Sequence, residues 1–134
     1  MSSSDSTTDY QKWHNIKMTD PEDGIVHATI PFDDKLTNPF GVINGSVIAT
    51  LIDIGSGRAL RDTFDEPDKG MLATIDLNVT YLDAATGDLH GDIEVVYAGG
   101  SIGVTRADVW CVTEEGQHNS VAVGQTIYRL FRDT

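Results

Sequence analysis

At 134 residues, with hydrophobic side chains making up 40% of the chain and spread along most of it, the sequence has the length and composition of one globular domain and not of a disordered segment. Twenty-one acidic against nine basic side chains give a formal charge of −12, which repels phosphate backbones and excludes nucleic acid as an expected partner. No apolar run approaches the roughly 20 residues of a membrane-spanning helix, so the expectation is a soluble, cytoplasmic protein with no membrane partner.

Residues 1–8, MSSSDSTT, are polar and lack the basic and apolar regions of a signal peptide; they read as a frayed tail ahead of a single domain over 9–134. Within 24–32, GIVHATIPF, Val26, Ala28, Ile30 and Phe32 alternate with Ile25, His27 and Thr29, which is the pattern of a strand. A polar stretch follows in which Asn38-Pro39 favours a turn or bend. Asn44 stands where a side-chain oxygen can cap a first helical turn, and 45–62 is predicted as one helix. Val47, Ile48, Leu51, Ile52, Ile54, Gly55 and Ala59 share the face expected to enter the core; Asp53 projects on the other side beside Ala49, Thr50, Ser56, Gly57 and Leu60.

Four strands are expected after the helix, at 71–82, 88–98, 102–113 and 120–132, with turns at 84–87, 99–101 and 114–119 too short for anything but antiparallel neighbours. In the first of them Ala73, Ile75, Leu77, Val79 and Tyr81 alternate with Leu72, Thr74, Asp76, Asn78 and Thr80, a half-buried strand. One strand, one long helix and four strands are most economically buried as an antiparallel sheet wrapped around a central helix. Cys111, the single cysteine, lies in an apolar run and reads as a small buried hydrophobe. His14, His27, His90 and His118 are scattered without zinc-ligand spacing, phosphate-cradling glycine loops are missing, and Trp13 and Trp110 read as packing residues. Aspartate greatly outnumbers glutamate and there are four lysines, a balance that fits a salt-rich cytoplasm as well as plain solubility.

The informative segment is NPFGVINGSVIATLIDIGSGRAL, residues 38–60. With Asn38, Gly41, Gly45 and Asp53 at matching spacing, and with the strand ATIDLNVTYL at 73–82, it resembles the hotdog-fold thioesterases of the phenylacetic-acid-degradation (PaaI-like) type. Those proteins show an Asn, a Gly three residues on, a His-Gly-Gly triplet opening the central helix, and an Asp or Glu in a context like the present Thr50-Leu51-Ile52-Asp53. The family's histidine is Asn44 here and the second glycine of the triplet is Ser46, which puts substrate preference in doubt but not the fold. The resemblance implies an α+β hotdog fold, a sheet of five to six strands around one long helix, and acyl-CoA thioesterase activity without a cofactor or metal.

Under that resemblance, Asp53 is the general base that activates water or else the nucleophile, Asn38 orients water or the carbonyl, and Thr74 helps hold the attacking water. The amide of Gly45, at the positive end of the helix, would polarise the thioester carbonyl, with Asn44 and Ser46 beside it on the substrate. Arg58, Arg61 and Arg106, along with Lys69, Arg129 and Arg132, are the cations available to the phosphates of coenzyme A. Gly45 and Asp53 stand eight residues apart, ~12 Å along a helix, too far to share one carbonyl carbon within a subunit. The expectation is therefore a homo-oligomer, a dimer or dimer of dimers, with Ala49, Ser56 and Gly57 allowing close approach of the second chain. Two other readings remain open: a non-catalytic acyl-CoA-binding or regulatory hotdog protein, and a hydratase, which would want a histidine where Asn44 stands.

Overall fold

The computed structural model describes residues 7–132, so residues 1–6 of the expected tail lie outside it. The chain runs through α1 (Asp9–His14), β1 (Lys17–Met18), β2 (Ile25–Ile30), a 3₁₀ turn (Asp34–Leu36), α2 (Gly45–Arg61), β3 (Met71–Tyr81), β4 (Leu89–Ala98), β5 (Ile102–Val112) and β6 (His118–Phe131). The six strands form one antiparallel sheet in the order β1-β2-β4-β5-β6-β3, curled around α2. This is the expected hotdog arrangement.

Alternation in the strands builds the inner surface. Val26, Ala28 and Ile30 of β2, Leu89 and Ile93 of β4, and Ala107, Val109 and Cys111 of β5 are all buried against the helix. Leu51, Ile52 and Leu60 of α2 are fully buried in return. Each such aliphatic side chain contributes on the order of 1.5–3 kcal/mol by leaving water. Close approach is set by glycine: a Cβ at Gly91 would lie 2.5 Å from Leu51 Cδ2, and one at Gly124 2.8 Å from Ile52 Cδ1. The cysteine behaves as the apolar core residue its surroundings predict.

The helix is buried over a wider arc than the periodicity predicts. Thr50, Ser56 and Leu60, expected beside Asp53 on the polar side, are buried, whereas Ile54 is only partly so. The curled sheet covers more than one face of α2, and the polar members are matched: Ser56 Oγ lies 2.7 Å from Thr105 Oγ1, which lies 2.6 Å from Thr126 Oγ1. Ser56 is therefore committed to its own sheet and leaves no surface for a second chain. Gly57 likewise faces Tyr128 of β6.

Three further features depart from the expectation. Thr8 and Gln11 form a reciprocal capping box that opens α1, and Tyr10 of that helix places its hydroxyl 3.0 Å from Thr50 Oγ1 on α2. Asn44 precedes α2 in an extended conformation but makes no side-chain cap bond; its backbone carbonyl accepts from Val47 N–H instead. Residues 82–88 do not close a hairpin, because β3 pairs with β6 and β4 with β2 and β5. The link passes beneath the segment before α2, where Ala85 is buried and its carbonyl accepts from Ile43 N–H at 2.8 Å.

The two tryptophans do not fill the core. Trp13 is half exposed under Lys35, and Trp110 stands on the outer face of the sheet between His90 and His118, with ring centroids 5.7 and 5.0 Å away. Outward-facing rings on neighbouring strands stack on one another because cross-strand partners share a face.

Candidate active site

Asp53 sits midway along α2, partly buried, under the strand β3 that forms one edge of the sheet. Its Oδ1 accepts a hydrogen bond from Thr74 Oγ1 at 2.9 Å and another from the hydroxyl of Tyr128 at 2.5 Å. The same hydroxyl lies 2.6 Å from the backbone oxygen of Asp53. Thr74 and Tyr128 are directly opposed across the β3–β6 pair, so two neighbouring strands deliver two donors to one carboxylate.

Thr74 reaches this position through a break in the strand. A register shift between Thr74 and Asp76 leaves Ile75 as a bulge. Strict alternation puts Thr74 on the face opposite Leu77 and Val79; the extra residue brings it to theirs, so that Leu72, Leu77 and Val79 pack inward while Thr74 bonds Asp53. Ile75 is left 56% exposed at the edge.

Gly45 opens α2. Tyr81, at the far end of β3, donates from its hydroxyl to the Gly45 carbonyl at 2.7 Å, and a Cβ on Gly45 would lie 3.2 Å from the Tyr81 ring. A side chain there would thus press on Tyr81 before it met any ligand. Asn38 folds the preceding loop: its Oδ1 accepts from the amides of Phe40 at 2.9 Å and Val42 at 3.4 Å, and Gly41 takes a positive φ of 78° that favours glycine. The turn uses the oxygen and leaves Phe40 88% exposed at its tip. Asn44 and Ser46 are both exposed at the helix start, where Ser46 contributes its carbonyl to Thr50 Oγ1.

The two ends of this constellation remain apart. Asp53 and Thr74 meet, with Tyr128, while Gly45, Asn44, Ser46 and the Asn38 loop gather at the N-terminus of α2, ~12 Å along the axis from Asp53. The arginines fall outside both groups. Arg58 bonds Asp62 at 2.8 Å and Asp20 at 2.5 Å, Arg61 bonds the carbonyls of Pro67 and Gly70, and Arg106 lies on the outer face 3.6 Å from Glu94. Burial works against the Arg58 charge, but its two carboxylate partners outweigh that and raise its pKa.

Tyr128 and Tyr81 are the site residues that sequence reasoning missed. Burial raises the pKa of both, and the hydrogen bond to Asp53 raises that of Tyr128 further, so each stays a neutral donor well above pH 7. A signal for Tyr128 existed: Thr126, Tyr128 and Leu130 point inward in β6, and an inward tyrosine needs a partner for its hydroxyl. Among the described residues no group of three or more His, Cys, Asp or Glu is arranged to hold a metal ion, and no helix is long and apolar enough to cross a membrane.

With the fold and this geometry in view, the comparisons with known proteins are specific. The Thioesterase superfamily profile matches residues 40–116, from the Asn38 loop through α2 and into the turn before β6. A Halobacterium salinarum protein that carries the name "putative esterase" is 40% identical over 123 residues, covering 88% of this chain and 82% of its own. The chain belongs to the thioesterase superfamily, and its class of chemistry is thioester hydrolysis. Among solved structures, a thioesterase family protein from Silicibacter pomeroyi superposes with a TM-score of 0.84 at 19% identity, covering 93% of this chain and 90% of that one. The BH2602 protein from Bacillus halodurans, determined with CoA, gives 0.81 at 24% identity over 96% and 82%.

Proposed function

We propose that this protein hydrolyses an acyl-CoA thioester in a site shared between two copies of the chain, with Asp53 of one protomer and the Gly45 amide of the other acting on the same carbonyl. The observation that carries this reading is the convergence of Thr74 and Tyr128 on Asp53 beneath an edge strand, since an amphipathic helix has no need to bond a solvated carboxylate so closely. The position of β3 supports a homo-oligomer. Its Thr74 end lies at Asp53 and its Tyr81 end at Gly45, so pairing two β3 edges antiparallel about a two-fold axis sets the Asp53 end of one beside the Gly45 end of the other.

In this reading the thioester oxygen meets the Gly45 N–H at the positive end of α2, where developing negative charge is stabilised. The Asn38 amide nitrogen, which its own turn does not use, orients the carbonyl or the water, with Asn44 and Ser46 lining the approach. Asp53 either takes a proton from water as the water oxygen bonds the carbonyl carbon, or attacks that carbon itself to give a mixed anhydride that water then opens. Either route breaks the C–S bond and ends with the proton on the departing thiolate. The CoA bound to the Bacillus halodurans protein supports coenzyme A as the carrier. Arg58, Arg61 and Arg106 are the candidate phosphate contacts, Arg58 by exchanging exposed Asp20 for phosphate.

A hydratase is disfavoured by where the histidines lie: the His14 ring is held 2.9 Å from the Tyr10 carbonyl, and His27, His90 and His118 belong to the outer ring stack. The test is thiol release from a panel of acyl-CoAs by wild type and Asp53→Ala. Loss of a general base lowers kcat by roughly 10²–10⁴-fold. Equal rates in the two proteins would remove Asp53 from the chemistry, and binding without release on every thioester would favour a non-catalytic acyl-CoA-binding protein.

A further inference from the structure

The two carboxylate oxygens of Asp53 are treated differently. Oδ1 receives both side-chain donors, Thr74 and Tyr128, whereas none of the hydrogen bonds found among the described residues ends on Oδ2. We propose that Tyr128 is a positioning residue which, with Thr74, pins Oδ1 and thereby selects Oδ2 as the oxygen that meets water or the thioester carbon. This rests on Asp53 being the reacting carboxylate, as argued above.

Several independent features converge on that role. An unrestrained carboxylate turns over about its last torsion and presents either oxygen, because that torsion is broad and two-fold. Two donors on one oxygen remove the freedom. The Tyr128 side chain that supplies one of them is itself fixed, being 5% exposed in a cluster with Leu60, Phe64 and Leu130. Its hydroxyl lies within hydrogen-bond distance of the Asp53 carbonyl as well as of Oδ1, so the phenol registers on the helix backbone as well as on the side chain. Since burial and the neighbouring carboxylate both disfavour its ionisation, Tyr128 donates throughout the working range and does not compete as a base.

Tyr128→Phe deletes the hydroxyl while keeping the buried ring, and Thr74→Val deletes the other donor. Removing either donor frees the carboxylate to turn over and present the wrong oxygen, so the chemical step slows while substrate binding is kept. For Tyr128→Phe, kcat is expected to fall roughly tenfold while KM stays within about twofold of wild type. A structural role alone would lower the melting temperature and leave kcat in place, and that result overturns the proposal. Asp53→Ala separates the two levels: wild-type rates in that variant defeat the reading of Asp53 itself, whereas an inactive Asp53→Ala with an unchanged kcat in Tyr128→Phe defeats only the role of Tyr128. Should Tyr128→Phe fold poorly, Thr74→Val carries the same kcat-against-KM readout, and an unchanged kcat there refutes the Oδ1 clamp.

Discussion

A carboxylate on the polar side of a helix is by pattern alone a solvated residue, and what changes its meaning is the company it keeps. The resemblance to hotdog thioesterases, carried by the spacing of Asn38, Gly41, Gly45 and Asp53, is what singles Asp53 out within the sequence, because that spacing is local to one turn and one helix. Its partners were less legible. Thr74 was identified, but strict alternation set it on the wrong face, and only the bulge at Ile75 turns it toward the helix. Tyr128 lies 75 residues from Asp53, in a strand whose pairing with β3 no local pattern reveals. That tyrosine also carries a prediction about stability. Its folded pKa is raised, chiefly by burial and then by Asp53, so the native state holds the phenolic proton more tightly than the unfolded chain, where tyrosine ionises near pH ~10. The stabilisation is complete below that pH and is lost as pH rises toward the folded value. Urea midpoints measured from pH 8 to 11.5 are expected to fall more steeply for wild type than for Tyr128→Phe, Tyr81 being common to both. Parallel declines would mean that neither burial nor the carboxylate holds the Tyr128 proton in the native state.

Among elements, those with long, strongly periodic patterns were legible: α2, β2 and the four strands after the helix lie where expected, with ends shifted by a few residues. The short ones were not. Thr8-Asp9-Tyr10-Gln11 is a capping box in plain view, yet a six-residue helix has no periodicity to confirm it, and β1 has two residues. The 82–88 link looked like a turn because its length is a turn's length; only the curl of the sheet shows that it crosses between strands that are not neighbours. Small residues in α2 show how an element's surroundings decide the effect of one methyl group. At Gly55 a Cβ would lie 2.6 Å from Ile93 Cδ1 inside a filled core, so Gly55→Ala forces a shift and is expected to destabilise by about 1–3 kcal/mol. At Gly57 the nearest atom would be 3.5 Å away, an ordinary contact, so Gly57→Ala gains helix propensity and is expected to stabilise by up to ~1 kcal/mol. Chemical denaturation of both variants checks this pair; the same sign at both sites would contradict the packing described for α2.

For the molecule as a whole, the proposed function requires the two ends of one rigid helix to serve a single site. Within a chain α2 holds Gly45 and Asp53 ~12 Å apart along its axis, and the strand that touches both of them is an edge of the sheet. A shared site makes a quantitative demand on mixed assemblies. Gly45→Pro removes the proposed oxyanion donor at the first helical position, where the helix backbone accepts proline and the residue before it is already extended, while the Tyr81 ring, 3.2 Å from the added Cβ, must give by a few tenths of an ångström. Asp53→Ala removes the carboxylate. Each variant alone should be inactive. When the two are co-expressed and assort at random, half of the dimers are mixed, and each mixed dimer has one site with an intact amide from one chain and an intact acid from the other. Activity should therefore recover to about a quarter of wild type. If Gly45 and Asp53 served one substrate from within a single chain, every site in the mixture would lack one of them. The co-expressed protein would then be as inactive as its components, and the two-fold arrangement of β3 would lose its functional meaning.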